Sequence, residues 1–247
     1  MDQSLSLKNV SKSFDTLEVL HNISLRVAKH EFVSIIGPSG SGKSTLFHIL
    51  AGVENSTAGE ILINNKSIKN RRGKFGYMPQ AHSLFPWRTV LENIMLGPIV
   101  LGKSKLYAKE KAYKLLEEFN LQDFVNNYPS TLSGGMQQRV ALLRTVLFNP
   151  AFLLLDEPFG SLDALTRQLA QIWLLTVWDT YRSSVLFITH VIQEAILLSD
   201  RIYVLSNRPS TIVKEITVDL PRPRKLVHLT GSKAIILEKK LFSLLMK

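Results

Sequence analysis

Cysteine is absent from the 247 residues, which excludes disulfide staples and thiolate metal sites and agrees with a reducing compartment. Acidic residues are in the minority: 20 Asp and Glu against 30 Lys and Arg leave a formal charge of +10 at pH 7. That balance suits a polyanionic partner, anionic lipid headgroups, or simply a site for nucleotide phosphates. The basic residues are scattered, with short clusters at 69–74, 103–114 and 222–225. No cluster is interleaved with aromatics as a single-strand nucleic-acid surface would be. Long apolar runs are missing as well. The richest stretch, 90–102, is broken by Glu92, Asn93 and Pro98, short of the roughly eighteen apolar residues that suggest a membrane span. The opening MDQSLSLKNV has neither the basic start nor the apolar run of a signal peptide, so a cytoplasmic location is expected. There is no Gly/Ser or Pro-rich tract, and 45% of residues are hydrophobic against 20% charged; this is a globular composition. The length permits one large domain or two small ones.

What is present is a βα alternation. Residues 32–36 form a short apolar run that ends at a glycine-rich loop and passes into Leu46, Phe47, Ile49 and Leu50 on helical spacing, which predicts strand, loop and helix. Further apolar runs at 151–155, 185–189 and 201–205 are separated by helical patterns, as buried parallel strands would be. A further strand and turn are expected at 59–64. From 84 to 149 the apolar residues recur at helical intervals, and Thr89 followed by Glu92 resembles a capping box. The reading is an α/β core, 1–83 with 150–220, carrying a helical insertion at 84–149. A C-terminal extension at 221–247 begins with a Pro/Arg turn and continues as a helix over 235–246, too short for a separate regulatory domain.

Three strand ends carry the chemistry. GPSGSGKST has the spacing of a P-loop: Gly37, Pro38, Ser39, Gly40, Ser41, Gly42, Lys43, Ser44, Thr45. Its glycines let backbone N–H groups turn inward around a phosphate, Lys43 reaches the terminal phosphate oxygens, and Ser44 can ligand Mg²⁺. Asp156 and Glu157 follow four hydrophobic residues, at a strand end where open α/β sheets place their ligands. Asp156 would hold the Mg²⁺ shell and Glu157 would polarise the attacking water. His190 ends the run FITH. A lone histidine is commonly structural, but a strand end beside the P-loop would bring it to the γ-phosphate as a hydrogen-bond donor. A second anion grip lies far downstream, where LSGGMQQR opens a helix with Ser133, Gly134 and Gly135.

Taken in order, GPSGSGKST, Gln80 in YMPQ, LSGGMQQR, LLLDEP, SLD at 161–163 and ITH resemble the ATP-binding cassette ATPase family over nearly the whole chain. The resemblance implies a RecA-like P-loop NTPase core with an inserted helical subdomain and a small N-terminal β subdomain, with ATP and Mg²⁺ as cofactors. It implies that Phe14 stacks on adenine, although Phe there would also serve as plain core. Gln80 would touch Mg²⁺ or the attacking water and join the core to the helical insertion. The family also accounts for two phosphate grips: two cassettes face head to tail, and each LSGG closes over the ATP on the other's P-loop. Ser133, Gly134, Gly135 and Gln137, with Asp163 of SLD, would then complete the nucleotide site across a homodimer.

LFPWRTVLENI and EPFGSLDALTR resemble the importers of the nitrate, sulfonate and taurine group and the related carriers of thiamine pyrimidine precursors. Implied partners are transmembrane permease subunits and, through them, an extracytoplasmic solute-binding protein, with the cassettes on the cytoplasmic face of the membrane and no direct nucleic-acid contact. Phe85, Pro86 and Trp87 fall where the family receives its permease, though Trp87 could also simply be core. Many relatives have Asp after the His, where this chain has Val191; that weakens a dimer contact. The competing reading is a soluble family member acting on nucleic acid or the ribosome, usually marked by two cassettes or a coiled-coil insertion. A third, a P-loop kinase for a small molecule, has no use for LSGGMQQR.

Overall fold

The computed structural model describes residues 4–71, 73–81, 83–148 and 151–246. It begins with β1 (Leu5–Phe14), β2 (Leu17–Val27) and β3 (Phe32–Ile36), then α1 (Lys43–Ala51), β4 (Ala58–Ile63), β5 (Lys66–Ser67) and β6 (Phe75–Met78). Next come α2 (Val90–Val100), α3 (Lys105–Glu118) and α4 (Gly134–Leu147). The chain closes with β7 (Phe152–Asp156), α5 (Ala164–Tyr181), β8 (Ser184–Ile188), α6 (Ile192–Leu198), β9 (Arg201–Leu205), β10 (Ile212–Thr217) and α7 (Ser232–Leu245).

The six-stranded sheet runs β10-β9-β3-β8-β7-β6. All its pairings are parallel except that of β10 with β9. Every residue of β3, β7 and β8 is buried, which is why these strands read as continuous apolar runs rather than alternations. Successive residues feed opposite faces: Leu153 and Leu155 join one core, and Phe152 and Leu154 the other. The first core holds the inward sides of α2, α3, α4 and α5. The second lies between the sheet, α1 and an antiparallel sheet ordered β2-β1-β4-β5. At β4–β5, Asn64 and Asn65 take positive φ of 54° and 61°, the turn conformation that asparagine tolerates and a tight hairpin needs.

Among described residues 84–148 there is no strand; Asn149 and Pro150, where the expected boundary falls, lie outside the described residues, as does Arg72 in the first basic cluster. α2 starts as its sequence suggests, with Thr89 Oγ accepting from Glu92 N at 3.3 Å and Glu92 returning a carboxylate to Thr89 N at 2.9 Å. The terminal helix begins at Ser232, earlier than its apolar pattern indicates, because Gly231 precedes it as the N-cap. It packs Ala234 and Leu241 against Ala195, Ile196 and Ile202. No helix among the described residues is long and apolar enough to cross a membrane.

Candidate functional site

The parallel strands point their C-terminal ends at one cleft of about 840 Å³. β3 hands over to the P-loop, where Gly40 and Gly42 adopt φ of 75° and 86°, a region L side chains rarely enter. A Cβ at Gly42 would come within 2.7 Å of Val19 Cγ1, so the loop lies against β2 only with glycine there. No side chain caps α1; its first N–H groups and dipole end are left to an anion. Lys43 turns Nζ onto the carbonyls of Gly37 and Pro38, at 2.9 and 2.8 Å. Burial lowers its pKa, with the charges of Glu157 and Asp156 acting in the opposite sense. Ser39, Gly40, Ser41, Gly42, Lys43, Ser44 and Thr45 line the cleft, whereas Gly37 and Pro38 lie behind it as the carbonyls that hold the lysine.

Gln80, Glu157 and His190 follow β6, β7 and β8, which are adjacent in the sheet. Their meeting point is one oxygen: Glu157 Oε2 lies 3.1 Å from His190 Nδ1 and 3.5 Å from Gln80 Nε2. Glu157 sits at φ 45°, an unfavourable conformation for a non-glycine residue that characteristically persists at functional sites. Its N–H donates to Ile188 O at 3.0 Å, which fixes that turn to the strand carrying His190.

Asp156 is 2% exposed, and its Oδ1 has no hydrogen-bond partner. Burial pushes its carboxyl above the ordinary range, and the neighbouring Ser44 hydroxyl acts against that shift. Tyr77 on β6 is pushed upward too, first by burial and then by the Asp156 charge. An orphaned, buried carboxylate oxygen beside a hydroxyl and under a phosphate loop is a donor set that fits Mg²⁺, a hard cation satisfied by oxygen.

Phe14, Leu17 and Val19 also line the cleft. Phe14 is 42% exposed and carries Lys12 Nζ 4.4 Å from its ring centroid. Its ring is therefore not core. Trp87, 70% exposed, is not core either; it packs on Phe85 with centroids 5.4 Å apart.

Ser133, Gly134 and Gly135, expected from the sequence to form a second anion grip, do not line this cleft. Ser133 caps α4 by accepting from Met136 N at 3.3 Å, and Gln137 Nε2 donates to the carbonyls of Pro129 and Leu132 at 3.0 and 3.3 Å. Nothing lies within 4 Å of a Cβ placed on Gly134, while one on Gly135 would meet Thr166 Cγ2 at 2.9 Å. Asp163 caps α5, accepting from Leu165 N and Thr166 N, each at 3.1 Å; its bonds with Thr166 hold its carboxyl below the ordinary range.

Two polar contributors to the cleft lie outside the motifs in the sequence. Arg208 lines it, and Ser210, fully buried, donates its hydroxyl to the carbonyl of Ser41 in the P-loop. The available signal was an arginine just past an apolar strand, since the ends of parallel strands are where such sheets bind ligands.

A phosphate loop on the sheet's central strand, with a carboxylate, an amide and an imidazole gathered from its neighbours, defines a P-loop nucleotide hydrolase. Residues 20–160 match the family model described as ABC transporter. The aliphatic sulfonates import ATP-binding protein SsuB of Bacillus cereus is 45% identical over 225 residues, covering 90% of this chain and 88% of the relative. An uncharacterized ABC transporter ATP-binding protein, MJ0412 of Methanocaldococcus jannaschii, is 42% identical over 228 residues, covering 91% and 85%. Among solved structures, the dimeric MJ0796 bacterial ABC transporter cassette superposes with a TM-score of 0.76 at 33% identity, over 88% of this chain and 100% of that one. A dimeric post-hydrolysis state of MJ0796 bound to ADP and Pi gives 0.76 at 32% identity over the same shares. The chain belongs to the ABC transporter family, as its ATP-binding, ATP-hydrolysing subunit. Nothing in these relatives favours the nucleic-acid-directed alternative.

Proposed function

We propose that two copies of this chain close head to tail over two ATP molecules and thereby drive import of a small solute of the aliphatic sulfonate class. The observation that carries the reading is the convergence of Gln80, Glu157 and His190 beside the P-loop, in a chain 45% identical to a sulfonate-import ATPase. Phe14 takes the adenine, and the P-loop amides with Lys43 take the phosphates. Ser44, Asp156 and Gln80 would hold Mg²⁺, which supplies charge neutralisation on the phosphate oxygens. Glu157 orients the attacking water and accepts its proton. Doubly protonated, His190 donates Nδ1–H to Glu157 and has Nε2–H to offer the γ-phosphate as negative charge develops.

The grip formed by Ser133, Gly134 and Gly135 lies outside its own chain's cleft, so it serves the ATP of the other copy, with Gln137 and Asp163 holding the flanking backbone in shape. The exposed Trp87 and the half-buried Phe85 it packs on are the anchors for a permease, which in turn receives solute from an extracytoplasmic binding protein; the pair of cassettes then rests on the cytoplasmic face of the membrane. The test is reconstitution of the chain with its permease and binding protein in liposomes. ATP-dependent uptake of an alkanesulfonate is expected. Uptake of nitrate, taurine or a thiamine pyrimidine precursor instead would replace the cargo assignment, and a purified chain without MgATP hydrolysis would overturn the enzyme.

A further inference from the structure

The turn between β9 and β10 is built onto the phosphate loop. Ser206 N donates to Thr211 O at 3.0 Å and Thr211 N to Ser206 Oγ at 2.9 Å, which closes the turn. Ser210 then ties it in two directions. Its buried hydroxyl donates to the Ser41 carbonyl of the P-loop. Its backbone exchanges bonds with β2, Ser210 N to Val19 O at 3.0 Å and His21 N to Ser210 O at 2.8 Å. The turn is thus a fixed wall of the cleft, joined to both the phosphate end and the strand that follows Phe14.

Two residues before that anchor, Arg208 projects over the loop. A Cβ on Gly40 would fall within 2.9 Å of Arg208 Nη2, so the guanidinium lies directly against the P-loop backbone. Arg208 is exposed and meets no carboxylate among the described residues. Lys43 and Arg208 are the cations among the residues that line the cleft. Lys43 already faces the charges of Glu157 and Asp156, so one lysine is set against two carboxylates before a polyphosphate arrives. Arginine's planar fork of donors suits phosphate oxygens, and it remains charged throughout the working pH range.

We propose that Arg208 is a second phosphate-binding cation of this site, contacting the β- and γ-phosphates of ATP from the outer side of the P-loop. This rests on the assignment of the cleft to ATP, and the experiment separates the two. Arg208→Ala, Arg208→Lys and Lys43→Ala are titrated with ATP and with AMP in competition against a fluorescent ATP analogue. One charge-assisted contact removed at a partly solvated site should weaken ATP about ten-fold in Arg208→Ala, with AMP changed less than about two-fold and the melting temperature unchanged. Arg208→Lys, which keeps the charge without the fork, should fall between. Arg208→Ala with unchanged ATP affinity, beside a weakened Lys43→Ala, overturns this proposal alone. Equal weakening of ATP and AMP also overturns it, because the arginine would then act on the nucleoside end through the shape of the turn. If Lys43→Ala also binds ATP normally, the site assignment itself fails.

Discussion

Lys43 and Glu157 make opposite contributions at one cleft, and single substitutions should separate them. Lys43 is held by two loop carbonyls, so its ammonium is preorganised rather than recruited. Lys43→Ala should weaken ATP by roughly ten- to a hundred-fold, the range of a lost charge-assisted contact, read by equilibrium titration. Glu157→Gln should leave ATP affinity intact and slow turnover by on the order of 10² to 10⁴, the usual share of a positioned general base; normal single-turnover hydrolysis would place the base elsewhere. Behind His190 lies a group that carries no role in the chemistry. Glu194, 3% exposed, accepts from Gln171 Nε2 at 3.1 Å and from the Thr189 hydroxyl, which itself accepts from Val191 N at 3.0 Å. Arg167 Nε stands 4.0 Å away, too far for a hydrogen bond. Burial raises the Glu194 carboxyl, with the bonds from Thr189 and Gln171 opposing that shift. The folded chain therefore binds this proton more tightly than the unfolded chain, and the contribution to stability is present at low pH and lost as pH rises through the folded value. Urea unfolding of wild type and Glu194→Gln across pH 5 to 8 should show wild type gaining on the variant as pH falls; a pH-independent difference would mean the group does not titrate there.

Elements differ in how far their sequences reveal them, and burial is the reason. β3 and β9 coincide with their apolar runs because the sheet is covered on both faces there, and β7 and β8 fall within one residue of theirs. β1 and β2 carry no such run. Their alternation is interrupted by register shifts, with Asn9 and Asn22 each at φ 50°, and a bulge moves every later side chain to the other face. β6 spans four residues, and β10 is an edge strand with three consecutive exposed positions, so neither offers a usable period. The site divides the same way. The P-loop, Asp156–Glu157 and His190 sit in contiguous motifs at the ends of legible strands, whereas Arg208 and Ser210 are joined to the site by the β9–β10 turn, which only the three-dimensional pairing shows. Asn93 on α2 is a similar case. It is fully buried and accepts from Phe85 N at 2.8 Å while donating to the carbonyls of Phe85, Arg88 and Thr89 at 3.0 to 3.1 Å. That one amide pins the loop presenting Phe85 and Trp87. Asn93→Ala strips several peptide groups of their partner and should cost about 1–3 kcal/mol, seen as a lower urea midpoint. ATP affinity should be unchanged while association with permease weakens, since the damage is confined to the loop.

At the scale of the whole molecule the P-loop and the proposed second grip belong to different layers: the P-loop lies on the sheet, and Ser133 opens a helix of the inserted helical layer. Neither Ser133 nor its glycines line the chain's own cleft, and an MJ0796 cassette of the same fold is solved as a dimer. A half-site on each of two copies gives a sharp genetic logic. Ser133→Arg should spare ATP binding by the single chain, because its P-loop is untouched, yet block closure, because in the proposed arrangement a long side chain would fill the space the γ-phosphate needs. Lys43→Ala has the converse defect, an empty P-loop and a sound LSGG. Each variant alone should be nearly inactive. Mixed in equal amounts they generate some heterodimers in which the sound P-loop of one chain faces the sound LSGG of the other, so one composite site is rebuilt. ATPase activity should reappear in the mixture, rise with total protein concentration as a bimolecular assembly must, and vanish when both substitutions are placed in the same chain and mixed with either parent. Strict coupling between the two sites could suppress turnover even in a correct heterodimer, so ATP-dependent association is followed by light scattering alongside activity. A Ser133→Arg protein that still dimerises on ATP as readily as wild type would show that this loop does not close over phosphate, and the head-to-tail arrangement would fall with it.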